Sequence, residues 1–170
     1  GTAYENSPHQ GTIVEFDLAS ATGQQRLEGG EPNVALNGEL TYVNSSDTII
    51  IADVNGLTIT EIKTRHDFTY HSHLYPALSA DGQMVAFMDS HTDGYANPDV
   101  PLYGVMVKAR DGRTIAFIPG MTQPAWTPDG RLVMVGSQVQ GDKVGVNGLF
   151  IIDASGNITQ LGQGLNLPQM

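Results

Sequence analysis

The chain is built of short apolar runs separated by short polar turns, with the spacing of strands rather than helices. Gly11 to Leu18 begins β-branched and alternates apolar with polar residues, whereas Thr48 to Val54 is nearly all apolar. Alternation is typical of a strand with one face in solvent, and a continuous apolar run of a strand covered on both faces. No window repeats apolar residues at i, i+3 and i+4, so the pattern predicts an all-β chain with almost no helix.

One phrase, a proline followed six residues later by a glycine, recurs between the apolar runs. It reads QPAWTPDGRLVMVG over Gln123 to Gly136, YPALSADGQMVAFM over Tyr75 to Met88 and, in degenerate form, EPNVALNGELTYVN over Glu31 to Asn44. The prolines of these phrases lie 44 and 48 residues apart, and Pro168 follows 44 residues after Pro124. A period of this length is typical of the four-stranded blades of a β-propeller.

The repeat predicts how a single domain, residues 1–170, is organised. Half a blade occupies residues 11–30, and three repeats occupy residues 31–74, 75–122 and 123–167. Asn-Gly and Asp-Gly pairs mark the tight turns, because Asn, Asp and Gly tolerate positive φ. We therefore predict a partial β-propeller of about three to three and a half four-stranded antiparallel blades. Trp126, on the innermost strand of the last repeat, is expected to pack between blades.

The phrase PAWTPDG, followed by an apolar strand and later by LFIIDASGNITQL, resembles the repeat of TolB-type six-bladed propellers. The resemblance covers about residues 11–170 and implies a six-bladed parent architecture. Such repeats occur in periplasmic scaffold proteins, in the propeller halves of prolyl-oligopeptidase-like enzymes and in other exported proteins. The resemblance thus implies an architecture and a periplasmic or extracellular bacterial location, but no single activity.

An incomplete ring has consequences for partners. It would expose apolar blade faces at both ends of the arc, and such patches are unfavourable on a monomer. We therefore expect the partner to be the remainder of a larger propeller, another protein, or further copies of the chain that bury the open faces.

Charge and composition narrow the classes of partner. The chain has 18 Asp plus Glu against 8 Lys plus Arg, a net charge of −10, and no Cys. Nucleic acids and anionic membrane surfaces both need a basic footprint, so neither is an expected partner. The absence of Cys excludes disulfides, zinc–thiolate sites and cysteine nucleophiles. No apolar run approaches the roughly 20 residues of a membrane-spanning helix.

Two polar segments carry residue types that bind metals. His71 and His73 would point the same way on an extended segment, as two imidazole ligands of one Zn²⁺ require. The insertion from Asp89 to Leu102 is rich in oxygen ligands, which suits Ca²⁺, although its spacing is not that of an EF-hand. The candidate metal ligands are His71, His73, His91, Asp89, Asp93 and Asp99, with His66 and Asp67 as further possibilities. The simpler alternative is a polar linker and a solvated loop without any cofactor.

Nothing in the sequence resembles a catalytic set, because the serines lie in turns and no G-x-S-x-G elbow occurs. We therefore predict a non-catalytic binding or scaffold module that displays loops to a protein or another ligand. The contact residues expected around the insertion are Tyr95, Asn97 and Tyr103. Two alternatives remain open: the propeller portion of a prolyl-oligopeptidase-like serine peptidase, and a metal-dependent lyase or carbohydrate-binding propeller.

Overall fold

A computed structural model describes residues 11–17, 19–63, 71–91, 103–137, 147–153 and 155–161. Every regular element in these ranges is a strand, which confirms the all-β prediction. The strands are β1 Thr12–Asp17, β2 Thr22–Glu28, β3 Gly30–Val34, β4 Leu40–Val43, β5 Ile49–Ala52, β6 Thr58–Ile62, β7 His71–Leu78, β8 Met84–His91, β9 Tyr103–Ala109, β10 Thr114–Pro119, β11 Met121–Trp126, β12 Leu132–Ser137, β13 Asn147–Ile152 and β14 Ile158–Leu161.

The strands form one two-stranded sheet and three four-stranded antiparallel sheets. Strands β3–β6 form blade 1, β7–β10 form blade 2 and β11–β14 form blade 3, and within each blade neighbours in sequence are neighbours in space. The pair β1–β2 stands before blade 1 as the N-terminal hairpin. This arrangement confirms the partial propeller of three blades and a half blade. In this part of the chain no helix is long and apolar enough to cross a membrane.

The first strand of each blade begins ahead of the repeat start that the sequence phrase indicates, at Gly30, His71 and Met121. The difference is largest in blade 2, where His71 to Leu74 belongs to β7 and not to a linker. Likewise β8 runs on to His91, into the segment predicted to be an insertion. Backbone pairing continues here through polar residues, so the apolar pattern alone did not reveal where these strands begin and end.

Apolar side chains of consecutive sheets meet face to face and form the core. One cluster lies between the N-terminal hairpin and blade 1, and includes Ile13 and Ile50. A second joins blade 1 to blade 2, and a third joins blade 2 to blade 3, with Phe87 and Phe150 fully buried at their centres. All four residues of β5 are buried, as its continuous apolar run predicts. Each blade therefore depends on its neighbours for its hydrophobic contacts.

The first turn of blade 2 is one residue longer than the corresponding turns of blades 1 and 3. The closing hydrogen bond runs from Ser79 N to Met84 O, whereas the corresponding bond in blade 3 runs from Thr127 N to Arg131 O. The repeat has no inserted residue here, so this pairing shift by one residue exchanges the two faces of β8 relative to the repeat alignment, because side chains alternate along a strand. Val85 and Phe87 consequently pack toward blade 1. The repeat alignment would instead turn Met84 and Ala86, the adjacent residues of β8, toward blade 1.

An ion pair joins a turn of blade 1 to a turn of blade 2. Arg110 donates from Nη1 to Glu39 Oε2 at 2.9 Å and from Nη2 to Glu39 Oε1 at 2.8 Å. Arg110 Nη1 also donates to Gly82 O at 2.9 Å. The hydrogen bonds from Arg110 lower the pKa of Glu39 below its usual value. The two side chains are 24% and 18% exposed, so solvent screens the pair only in part.

We expect Glu39→Gln to lower the free energy of unfolding by about 1 kcal/mol near neutral pH, because it removes a bidentate, charge-assisted pair. The folded pKa of Glu39 lies below its unfolded value, so its contribution is complete above the unfolded pKa and is lost as the pH falls. Denaturant unfolding at neutral and acid pH measures both effects. Glu61→Gln is the control, since Glu61 is half exposed and 3.9 Å from Lys63. Equal losses in the two variants would contradict the prediction.

Candidate functional site

The first strands of the three blades share one irregularity. Each carries a β-bulge at a dipeptide that ends in proline, where the pairing register with the second strand shifts. The residue before the proline has positive φ in every case: Glu31 55°, Tyr75 56° and Gln123 49°. Proline has no N–H and fits a bulge, where the ladder loses a hydrogen bond. A left-handed residue other than glycine costs roughly 1–2 kcal/mol, so all three blades hold a strained residue at the same place.

The three prolines that follow these residues border one cavity of about 290 Å³, where the first strands of the blades converge. We call it the axial cavity; its lining is Glu31, Pro32, Asn33, Tyr75, Pro76 and Pro124. The backbone N–H of Tyr75 donates to a carboxylate oxygen of Glu31, which joins blade 2 to blade 1. Tyr75 is 41% exposed. A carboxylate beside proline rings and an exposed phenol suits a basic side chain with an apolar stem.

A buried histidine forms a second polar cluster, which we call the His73 clamp. His73 is fully buried. Its backbone N–H donates to Asp47 Oδ1 at 3.0 Å, and its ring Nδ1 lies 2.8 Å from Asp47 O and 3.0 Å from Asp47 Oδ2. Its ring Nε2 lies 3.5 Å from Asp89 Oδ1. The ring also contacts Phe87 edge to face, with centroids 5.4 Å apart. The clamp therefore joins the β4–β5 turn of blade 1 to β7 and β8 of blade 2.

The two carboxylates decide the charge of the clamp. Burial alone would lower the pKa of His73, but its interactions with Asp47 and then Asp89 outweigh burial and raise the pKa to about 9. His73 is thus a cation at neutral pH. A protonated imidazole can donate from both nitrogens, toward Asp47 on one side and Asp89 on the other. Burial lowers the pKa of the nearby Lys108, an effect that the charge of Asp89 opposes.

The structure brings together the backbone positions of four predicted metal ligands. In the β7–β8 ladder His71 is paired with His91, and His73 with Asp89, so the four positions lie on one face. The other candidates, His66, Asp67, Asp93 and Asp99, lie outside the described residues. Among the described side chains no group of three His, Cys, Asp or Glu residues is arranged to hold a metal. The Zn²⁺ and Ca²⁺ sites stay predictions, which elemental analysis of protein purified without chelator would test.

The predicted contact residues are only partly described. Tyr103 is the first residue of β9, is paired with Ser90 and is 37% exposed. Tyr95 and Asn97 lie outside the described residues. Sequence reasoning did not select Glu31, Tyr75 or Asp47. Glu31 and Tyr75 could have been found from the sequence, because each stands before the recurrent proline. Asp47 belongs to no repeated motif and is distant in sequence from His73.

The Asp-Gly pairs serve as turn residues, as the sequence predicts. In blade 2, Asp81 Oδ1 accepts hydrogen bonds from Ser79 Oγ at 2.6 Å and from the backbone N–H of Gln83 at 3.1 Å. These bonds lower the pKa of Asp81. Gly82 then adopts φ 71°, and a Cβ there would lie 2.6 Å from a side-chain atom of Asn37. The carboxylate of Asp81 thus stabilises the backbone of a turn.

Comparison with solved structures supports the fold. A TolB protein from Acinetobacter baumannii aligns over 88% of this chain, with a TM-score of 0.63 and 16% identity. A putative TolB from Agrobacterium tumefaciens aligns over 90% of it, with a TM-score of 0.63 and 20% identity. An oligogalacturonate lyase in complex with manganese aligns over 86%, with a TM-score of 0.55 and 14% identity.

The described residues therefore have the fold of part of a TolB-type β-propeller. This chain spans 37% and 54% of the length of the two TolB structures, and 45% of the lyase. No family model matches the chain, and no curated protein is significantly similar to it in sequence. At these identities the likeness concerns the fold.

Proposed function

We propose that this chain is a non-catalytic binding module that holds a basic segment of a protein partner at the axial cavity. The observation that carries the proposal is the convergence of three proline bulges on one cavity that also exposes Tyr75 and contains Glu31. Strained residues persist where the surrounding structure holds them, and they are frequent at binding sites. The net charge of −10 adds long-range attraction for a basic partner.

The described residues favour binding over catalysis. His73 is fully buried and faces two carboxylates, so it is not placed to exchange a proton with a substrate. The carboxylate of Asp81 is engaged in turn hydrogen bonds. The peptidase and lyase alternatives would each need catalytic groups beyond those that the described residues provide. By analogy with the propeller repeats that it resembles, we place the module in the periplasm or outside the cell.

The proposed function predicts that Tyr75→Ala and Glu31→Gln each weaken binding of basic peptides by about tenfold. Tyr75→Ala removes the phenol ring that would contact the basic side chain of the peptide, and Glu31→Gln removes the negative charge beside it. The probes are two displayed peptide pools with random flanks, one with a fixed central Arg and one with a fixed central Glu. Selection on the unmodified protein should enrich the Arg pool, and titration of an enriched peptide into each variant gives the loss.

Leu57→Ala is the matched control, since Leu57 is 71% exposed and does not line the cavity. Circular dichroism of every variant checks that the fold is kept, which matters for Glu31 because its carboxylate accepts a backbone hydrogen bond. Equal enrichment of the two pools, or full binding by folded Tyr75→Ala, would overturn the proposed function.

A further inference from the structure

Two turns of blade 1 share one backbone geometry and one dipeptide. Each contains asparagine followed by glycine, at Asn37-Gly38 between β3 and β4 and at Asn55-Gly56 between β5 and β6. The glycine N–H closes each turn by donating to the carbonyl three residues earlier, to Ala35 O at 3.0 Å and to Asp53 O at 2.9 Å. The two glycines adopt φ of 84° and 82°. The two asparagines therefore occupy equivalent backbone positions, and their side-chain contacts can be compared directly.

The side chain of Asn37 is held at both atoms of its amide. Its Nδ2 donates to Glu39 Oε2 at 2.9 Å, and its Oδ1 accepts from the backbone N–H of Glu39 at 3.0 Å. Glu39 is itself fixed, because its carboxylate accepts two hydrogen bonds from Arg110 of blade 2. Rotation of the Asn37 side chain would therefore break two hydrogen bonds of ordinary length.

The side chain of Asn55 is held less firmly. Its Nδ2 donates to Asp53 Oδ2 at 3.4 Å, beyond the usual range for such a bond. Its Oδ1 accepts no hydrogen bond from any other described residue, and Asn55 is exposed. Asp53 Oδ1 accepts from the backbone N–H groups of Asn55 and Leu57, at 2.9 and 2.8 Å. This carboxylate therefore fixes the backbone of the turn but leaves the Asn55 amide able to rotate.

A rotating amide before glycine has a specific chemistry. Asparagine is thermolabile because the following backbone nitrogen can attack its amide, and glycine, which has no Cβ, leaves that nitrogen accessible. Gly56 N would lose its proton and bond to Asn55 Cγ, while the Cγ–Nδ2 bond breaks and ammonia leaves with the proton. Water then adds to one carbonyl of the cyclic imide. Opening at Cγ gives aspartate, whereas opening at the main-chain carbonyl gives isoaspartate.

We propose that Asn55 is a site of spontaneous conversion to aspartate and isoaspartate in the folded protein, and that Asn37 is protected from it by its contacts with Glu39. The reaction consumes only water. The third Asn-Gly pair of the sequence, Asn147-Gly148, begins β13 and is constrained by pairing with β12, so it is not a matched comparison. The proposal does not depend on the axial cavity, which Asn55 does not line.

Conversion would change the turn at a point of contact inside the molecule. A Cβ on Gly56 would lie 3.2 Å from Leu27 of β2, so the turn packs against the N-terminal hairpin. The new carboxylate would lie beside that of Asp53, and repulsion between like charges would replace the present hydrogen bond. Isoaspartate would also lengthen the main chain of the turn by one carbon.

The test follows both asparagines during incubation of the folded protein at mildly alkaline pH, where the attacking nitrogen loses its proton more readily. Digestion at acid pH and mass spectrometry measure the conversion of amide to acid, and electron-transfer fragmentation assigns the position and distinguishes isoaspartate from aspartate. Asn55 should convert about tenfold or more faster than Asn37, because reaction at Asn37 must first break two hydrogen bonds. In protein unfolded in urea the two rates should converge.

Glu39→Ala should accelerate conversion of Asn37 by about tenfold and leave Asn55 unchanged, because it removes the carboxylate that holds the Asn37 amide. Glu61→Ala is the matched control, since Glu61 is half exposed and lies 3.9 Å from Lys63; it should change neither rate. Circular dichroism checks that each variant is folded, and the comparison of folded with unfolded unmodified protein decides the question without any variant. Equal rates in the folded protein, a difference that persists in urea, or slow conversion of Asn37 in folded Glu39→Ala would each overturn the proposal.

Discussion

Replacing His73 by glutamine is expected to lower the free energy of unfolding by about 3–5 kcal/mol at mildly acid pH, because it leaves two carboxylates without their buried cation. His73 is fully buried between Asp47 and Asp89, and it joins two blades. Glutamine keeps hydrogen-bonding capacity but no charge, so the loss reports the ionic part of the clamp. Urea unfolding followed by far-ultraviolet circular dichroism measures it.

The same pair of proteins isolates the pH dependence. The folded pKa of His73, about 9, lies above the unfolded value of 6.5, so the folded state binds the extra proton. The stabilisation is therefore complete below the unfolded pKa, falls as the pH rises between the two values, and amounts to about 3 kcal/mol. The difference between the unmodified protein and His73→Gln should shrink by this amount over that range.

A pH-independent difference between these two proteins would contradict the assignment of a charged clamp. Asp129→Asn provides the control for general alkaline sensitivity. In the unmodified protein the carboxylate of Asp129 pairs with Arg131 at 2.8 Å on the surface, where the Asp129 side chain is 59% exposed and the Arg131 side chain 49%. The free energy of unfolding of Asp129→Asn should change with pH as that of the unmodified protein does, because Asp129 is already ionised throughout this range.

Trp126→Ala is expected to cost about 3 kcal/mol, at the lower end of large aromatic truncations because the indole is only partly buried. The substitution removes contacts with the cluster between blades 2 and 3 and leaves the carbonyl of Ala77 without its donor. Trp126→Phe retains most of the packing and should lose about 1 kcal/mol, the worth of one hydrogen bond. Denaturant melts of the three proteins give both values.

A loss below about 1 kcal/mol for Trp126→Ala would show that the indole does not help to hold blade 3 against blade 2. Leu57→Ala again serves as the control, since Leu57 is 71% exposed and its truncation should be nearly neutral. Trp126 was expected from sequence to pack between blades, and its contacts confirm that expectation.

The local pattern of the sequence determined the strands and turns of this protein. Strand β1 lies within the alternating segment from Gly11 to Leu18, and β5 is covered on both faces as its run of isoleucines indicates. These features were predictable because a period of two and a turn residue with positive φ act over a few neighbouring residues. The repeat of the proline phrase extended this local information to the number of blades.

The candidate site was less predictable, because it depends on which strands become neighbours. The axial cavity combines Glu31 and Tyr75 from different blades, and the His73 clamp joins a turn of blade 1 to two strands of blade 2. Neither pairing leaves a spacing that a single sequence reveals. Of the residues in these two places, the sequence singled out only His73 and Asp89, as candidate metal ligands. In the structure the side chain of His73 lies between two carboxylates and joins two blades.

The repeat alignment also failed at one place that only the tertiary structure decides. The turn before β8 closes one residue later than the equivalent turn of blade 3, without any inserted residue, and this exchanges the faces of β8, so Phe87 packs against blade 1. From the sequence alone came the strand order, the turns and the blade repeat, all set by contacts between near neighbours in the chain. The facing of β8 and the buried cation were decided by packing between sheets, because burial belongs to a pair of surfaces and not to either one alone.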